Sequence, residues 1–94
     1  MHHIYIVECR DGTYYTGYTN DIKKRIEAHN DGKGAKYTSG RTPVILRHNE
    51  SYETKSEALK REYAIKQLTR VEKQQLFEMK KENKKNSKRK QNEN

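Results

Sequence analysis

Tyr5, Tyr15, Arg25, His29 and Glu62 follow one another along the chain, the tyrosines set in the triplets His3-Ile4-Tyr5 and Tyr15-Thr16-Gly17. Several of these groups fall where a small domain would want apolar side chains. A phenol or carboxylate on an inward face must be hydrogen-bonded or paired to offset its desolvation. A series of them calls for a ligand, and phosphate together with a metal ion uses all five. A guanidinium offers phosphate two parallel hydrogen bonds. An imidazole, with an ordinary pKa of about 6.5, takes or relays a proton near neutral pH. A phenol, at about 10, acts as a base only where a nearby cation or metal favours the phenolate. A hard divalent cation commonly needs one or two protein carboxylates, with water and substrate phosphate completing its shell.

Taken singly, each residue has a plainer explanation. Glu62 could pair with a neighbouring Arg or lie at a rim, and His29 could interact with the last carbonyls of a helix. Tyrosines are good strand residues, and the chain holds seven. The five can share one chemistry only if the elements that carry them converge.

Ile4 to Cys9 and Thr13 to Thr19 are rich in β-branched and aromatic residues and flank Arg10-Asp11-Gly12, a hairpin pattern. A two-residue turn at Asp11-Gly12 would put Tyr5 and Tyr15 on opposite faces. A three-residue loop, with Gly12 in a left-handed bulge, makes Tyr5 oppose Gly17 and Val7 oppose Tyr15. The second arrangement is preferred. It gathers Val7 and both tyrosines on one face and Ile4, Ile6, Tyr14 and Tyr18 on the other, so each face has something to pack.

Asn20 or Asp21 can cap a helix running to about Asn30, with Ile22, Arg25, Ile26 and His29 on one side. The stretch from Asp31 to Gly40 is glycine-rich and basic, and reads as a functional loop. Pro43 then opens a third strand over about Val44 to Asn49. Thr54-Lys-Ser-Glu57 is a capping box for a helix to about Leu68, and Thr69-Arg-Val-Glu72 is a second box for a helix from Arg70. Glu62 lies at i+4 from Ala58 and i−3 from Ile65, so the helix that buries those two turns the carboxylate toward the sheet.

The chain has 94 residues with net charge +8, 30% hydrophobic and 36% charged, which predicts one domain with a small core. Residues 80–94 carry seven Lys and Arg against two Glu. A polyanion is the natural partner of that balance. We expect residues 1–80 to form the domain and 81–94 a basic, disordered tail. Cys9 is the only cysteine, which excludes an internal disulfide and a Cys-rich zinc site and fits a reducing cytoplasm. The longest aliphatic run, Val44-Ile45-Leu46, is far too short to span a membrane, so no membrane association is expected.

Together these residues resemble the GIY-YIG endonuclease superfamily over about residues 2–70. The run Tyr15-Thr-Gly-Tyr-Thr-Asn-Asp-Ile-Lys-Lys-Arg-Ile-Glu-Ala-His-Asn30, followed by Gly34-Ala-Lys-Tyr-Thr38, is similar to that of short stand-alone bacterial members. The spacing is also similar to the catalytic subunit of the eukaryotic branched-DNA resolving endonuclease, and more distantly to the incision subunit of bacterial nucleotide excision repair. The resemblance implies an α+β fold, a small three-stranded antiparallel sheet flanked by helices. It also implies one Mg2+ or Mn2+ ion and hydrolysis of a DNA phosphodiester with little sequence specificity, in repair or recombination.

The family's tyrosines fall on Tyr5 and Tyr15, its arginine on Arg25, its histidine on His29 and its metal-binding glutamate on Glu62. His3 and Thr16 depart from the family's triplets at backbone and packing positions. An asparagine that some restriction-type members carry after the glutamate has no assigned counterpart; Gln67, Gln74 and Gln75 are loose candidates. On this reading Glu62 holds the ion and Tyr5 activates water as a phenolate favoured by His29. Arg25 neutralises the growing charge, and Tyr15 hydrogen-bonds phosphate or water, with the tyrosines' roles exchangeable. Lys24, Lys33, Lys36, Tyr37 and Arg41 are the expected nucleic-acid contacts. DNA is the expected substrate, with branched and nicked forms as candidates. The rival is a nucleic-acid-binding module that keeps the fold without cleavage, and a catalytic subunit idle without a protein partner is a third reading.

Overall fold

Strands β1 (His2–Glu8) and β2 (Tyr14–Thr19) form an antiparallel hairpin with Tyr5 opposite Gly17 and Val7 opposite Tyr15. The loop has three residues. Its last, Gly12, takes φ +86, a conformation side chains resist, and Cys9 N–H donates to Thr13 O at 2.8 Å. This computed structural model describes residues 1–78. The tail expected over 81–94 lies outside them.

Strand β3 (Ile45–Tyr52) pairs with β1, giving the sheet order β2-β1-β3. It runs three residues beyond the expected end at Asn49, because β1 offers a free edge as far as His2, which pairs with Tyr52. A bulge at Arg47 of β3, facing the Ile6–Val7 step of β1, shifts the register, so that Ile6 opposes His48 and Val7 opposes Leu46. Alternation along β3 would otherwise put Leu46 and Tyr52 on one face. The shift sends Leu46 to the Tyr5–Val7 side and Tyr52 to the Ile4–Ile6 side.

Helix α1 (Ile22–Asn30) starts at Asp21, whose carboxylate accepts from Lys24 N–H at 3.1 Å. Ile22 and Ile26 pack on the face holding Tyr5, Val7, Cys9 and Val44. Helix α2 (Lys55–Lys66) begins with the expected Thr54–Glu57 capping box and presents Ala58 and Ile65 to Ile4 and Ile6 on the other face. It stops at Lys66, two residues early, since Thr69 and Glu72 already cap the next helix, α3, over 70–78. Leu76 and Phe77 of α3 finish that second core. Covered on both faces, Ile4, Tyr5, Ile6 and Val7 of the central strand are fully buried.

Candidate active site

The Tyr5 ring leans across to the edge strand and lies over Gly17. A Cβ at that position would stand 2.5 Å from the Tyr5 hydroxyl and 3.0 Å from Tyr15 Cε2. The hydroxyl meets His29 Nε2 at 2.7 Å and accepts from Arg25 Nε at 3.3 Å. One turn apart on α1, Arg25 and His29 reach it from the same side. Tyr15 joins through ring packing, its centroid 5.4 Å from His29 and 6.4 Å from Tyr5.

The loop after α1 closes over this group. Arg25 Nη2 donates to Gly34 O at 2.5 Å, and His29 Nδ1 meets Thr38 Oγ1 at 2.7 Å. The Gly34 backbone lies so close that a Cβ there would fall 2.3 Å from His29 Nδ1. Thr38, fully buried, also donates to Ala35 O at 3.1 Å. His29 is therefore held between two hydroxyls inside the protein, where a helix-end histidine would have turned to the last carbonyls.

Burial lowers His29 below its ordinary 6.5, and the Arg25 charge lowers it further. Burial also raises the Tyr5 phenol above 10; Arg25 opposes the rise, while Tyr15 and Glu62 add to it. The resting pair is a neutral phenol against a neutral imidazole. Desolvation acts against charge on both groups, so the phenolate expected at Tyr5 needs added positive charge beside it.

Glu62 stands outside this hydrogen-bonded group. Its carboxylate is 17% exposed and pairs with Lys66 Nζ at 3.4 Å on the same helix, so it is neither alone nor fully turned inward. Although α2 covers the opposite face of the sheet, the Glu62 charge reaches the Tyr5 hydroxyl. No three or more His, Cys, Asp or Glu side chains among the described residues are assembled to hold a metal ion. A single carboxylate suits Mg2+ or Mn2+, which retain water and take phosphate oxygens. At 3.4 Å the Lys66 contact is longer than a good hydrogen bond, which leaves Glu62 able to bind an ion.

Lys24, Lys33 and Lys36 are exposed on α1 and the loop beside the site. Tyr37 is 43% exposed, but it stacks on Tyr15 with centroids 5.8 Å apart, and the Arg41 guanidinium covers it at 4.6 Å. These contacts occupy part of the ring surface that a nucleic-acid base would use. Asp11 anchors Arg41 from the hairpin turn at 2.7 Å. Of the loose candidates, Gln74 donates to Tyr14 OH at 3.0 Å and Gln67 caps α2.

Thr38 and the Gly34 carbonyl had no role in the sequence reading, and the only signal for them was the run Gly34-Ala-Lys-Tyr-Thr38. Also unforeseen is a polar cluster on the other face. Glu50 accepts from Arg61 Nε at 2.9 Å and Nη2 at 3.2 Å, from Tyr52 OH at 2.5 Å and from His48 Nε2 at 2.7 Å. Burial works against the Glu50 charge, but these donors outweigh it and hold the carboxyl well below the usual range. Tyr52, desolvated and bonded to Glu50, is pushed up to about 12. The spacing of His48, Glu50 and Tyr52 along one strand face was the available signal.

A three-stranded sheet with two hairpin tyrosines, an arginine and a histidine gathered on one face defines a GIY-YIG-type fold. The chain matches the GIY-YIG catalytic domain over residues 1–92 and belongs to that family. It is 65% identical to a UPF0213 protein of Halobacterium salinarum over 82% of this chain and all of the relative. It is 54% identical to one of Bacillus velezensis over 88% of this chain and 84% of the relative. The solution structure of a UPF0213 protein from Bacillus halodurans is similar at TM-score 0.56 and 49% identity, covering 84% of each chain. That of a protein from E. faecalis is similar at 0.58 and 48%, covering 83% of each. Among the described residues, no helix is long and apolar enough to cross a membrane.

Proposed function

We propose that the protein is a metal-dependent endonuclease that hydrolyses DNA phosphodiesters with little sequence specificity, taking branched or nicked DNA. The observation that carries this reading is the buried 2.7 Å contact between Tyr5 OH and His29 Nε2, with Arg25 on the same hydroxyl. A neutral imidazole beside a neutral phenol can receive a proton. As the attacking water gives its proton to Tyr5 Oη, the Tyr5 proton passes to His29 Nε2. The hydroxide so formed attacks phosphorus in line, and the bond to the leaving oxygen breaks.

Arg25 spends Nε on Tyr5 and Nη2 on Gly34 O, leaving Nη1 uncommitted among the described residues and able to meet the phosphate as its charge grows. Tyr15, half-buried beside His29, is placed to hydrogen-bond phosphate or water. Glu62 would hold a Mg2+ or Mn2+ ion, which would supply positive charge as the leaving group departs. Lys24, Lys33, Lys36 and Arg41 would contact the backbone on either side, with the tail of residues 81–94 adding charge.

The position of Glu62 outside the Tyr5–His29–Arg25 hydrogen-bonded group favours a second reading, a nucleic-acid-binding module without cleavage. Incubating supercoiled plasmid and branched or nicked oligonucleotides with Mg2+ or Mn2+ decides between the two. Nicking by the wild type that disappears in Glu62→Gln supports the nuclease. Binding without cleavage on every substrate, with and without cell extract to supply a partner subunit, overturns it.

A further inference from the structure

We infer that Thr38 is a positioning residue that locks His29 in the tautomer bearing its proton on Nδ1, which leaves Nε2 bare to receive the proton of Tyr5. Each hydroxyl in the chain has one proton to give, and only one assignment uses all of them. Tyr5 OH donates to His29 Nε2, His29 Nδ1–H donates to Thr38 Oγ1, and Thr38 OH donates to Ala35 O. Arg25 Nε supplies the donor to the Tyr5 oxygen.

In the opposite tautomer Thr38 would donate to Nδ1 and His29 Nε2–H to the Tyr5 oxygen. That oxygen would then accept from both His29 and Arg25, while its own proton would meet no acceptor of the described residues in a fully buried place. An unpaired buried donor of this kind is costly enough to decide between tautomers. Thr38 is suited to the task. It is fully buried on a loop that also holds Arg25 through Gly34 O, so the clamp that sets the imidazole also sets the guanidinium. The outer partner of a ring nitrogen selects which nitrogen carries the proton.

The tautomer assignment stands by itself; its part in proton transfer rests on the nuclease reading. Long-range proton–nitrogen NMR of the His29 ring distinguishes the two forms, because a protonated ring nitrogen and a bare one resonate far apart. The wild type and Thr38→Ser should carry the proton on Nδ1 at neutral pH. Thr38→Val keeps the side-chain volume but removes the acceptor, and should shift the population toward Nε2–H. In the nicking assay Thr38→Val should lower kcat about 10–100-fold, by analogy with the outer partners of metal-ligating histidines, with KM little changed and Thr38→Ser restoring the rate. A wild-type ring protonated on Nε2, or a Thr38→Val ring still on Nδ1, overturns the assignment. If Thr38→Val does not fold, the wild-type and Thr38→Ser spectra still decide it. Spectra as expected from a protein that nicks nothing would retain the assignment and reject the nuclease reading alone.

Discussion

The Tyr5 hydroxyl occupies the space that a side chain on Gly17 would need, 2.5 Å from where its Cβ would be. Gly17→Ala should therefore push the Tyr5 ring off His29. Overpacking of this kind costs roughly 1–3 kcal/mol, so we expect a folded protein with a lower thermal midpoint and little cleavage. Thermal melts paired with the nicking assay check this. An alanine variant with unchanged rate would mean that the Tyr5 position does not matter to the chemistry.

Tyr5→Phe removes the proton carrier but keeps the ring in place. His29 Nε2 and Arg25 Nε each lose a partner, so stability falls modestly, while the rate should fall about 10²–10³-fold. Arg25→Ala should do the same by removing a prepositioned charge from the transition state. Single-turnover kinetics at saturating DNA separates both effects from binding.

His29 binds its proton more weakly in the folded chain than in the unfolded one, which titrates near 6.5. Between those two pH values the unfolded chain holds the extra proton. The stability that neutral His29 contributes is thus complete above about 6.5 and lost as pH falls through the folded value. Cleavage should fall in the same direction, since only the neutral ring accepts a proton. Urea titrations at pH 8 and pH 5 should show a smaller pH dependence for His29→Gln than for the wild type. An equal dependence would place the titration elsewhere.

Glu50 gathers Arg61, Tyr52 and His48 on the face away from the pocket. Replacing it with Ala leaves three donors without their acceptor, and should cost about 1–3 kcal/mol, discounted for the partial exposure of Arg61. Because the Glu50 carboxyl is held well below its usual range, this contribution is present above about pH 4–5 and fades on further acidification. The nicking rate of the folded variant should match the wild type. Urea denaturation and the plasmid assay measure the two sides independently.

If the loop lysines meet phosphates, replacing Lys33 and Lys36 with Ala should weaken DNA binding similarly on every sequence. The slope of log affinity against log salt should flatten by about 0.9 per lost contact with duplex DNA. Titrations at several salt concentrations report it. Deleting residues 80–94, which hold seven Lys and Arg, applies the same test to the tail.

Local chemistry made much of this molecule legible before any coordinates. Gly12 set the hairpin loop, and with it the shared face of Tyr5 and Tyr15, because strand alternation admits only two registers. Asp21, Thr54 and Thr69 marked the helix starts, since a cap is a contact between residues two or three apart. The 3.6-residue period aligned Arg25 with His29. What only the tertiary structure decided depends on contacts between separate elements: the β3 bulge, the Arg61 contact to Glu50, the packing of Tyr37 with Tyr15 and Arg41, and the Thr38 contact to His29. The protonation states belong to that class as well. Desolvation is set by everything packed around a group, so no spacing along the chain could reveal that burial disfavours charge on Tyr5 and His29.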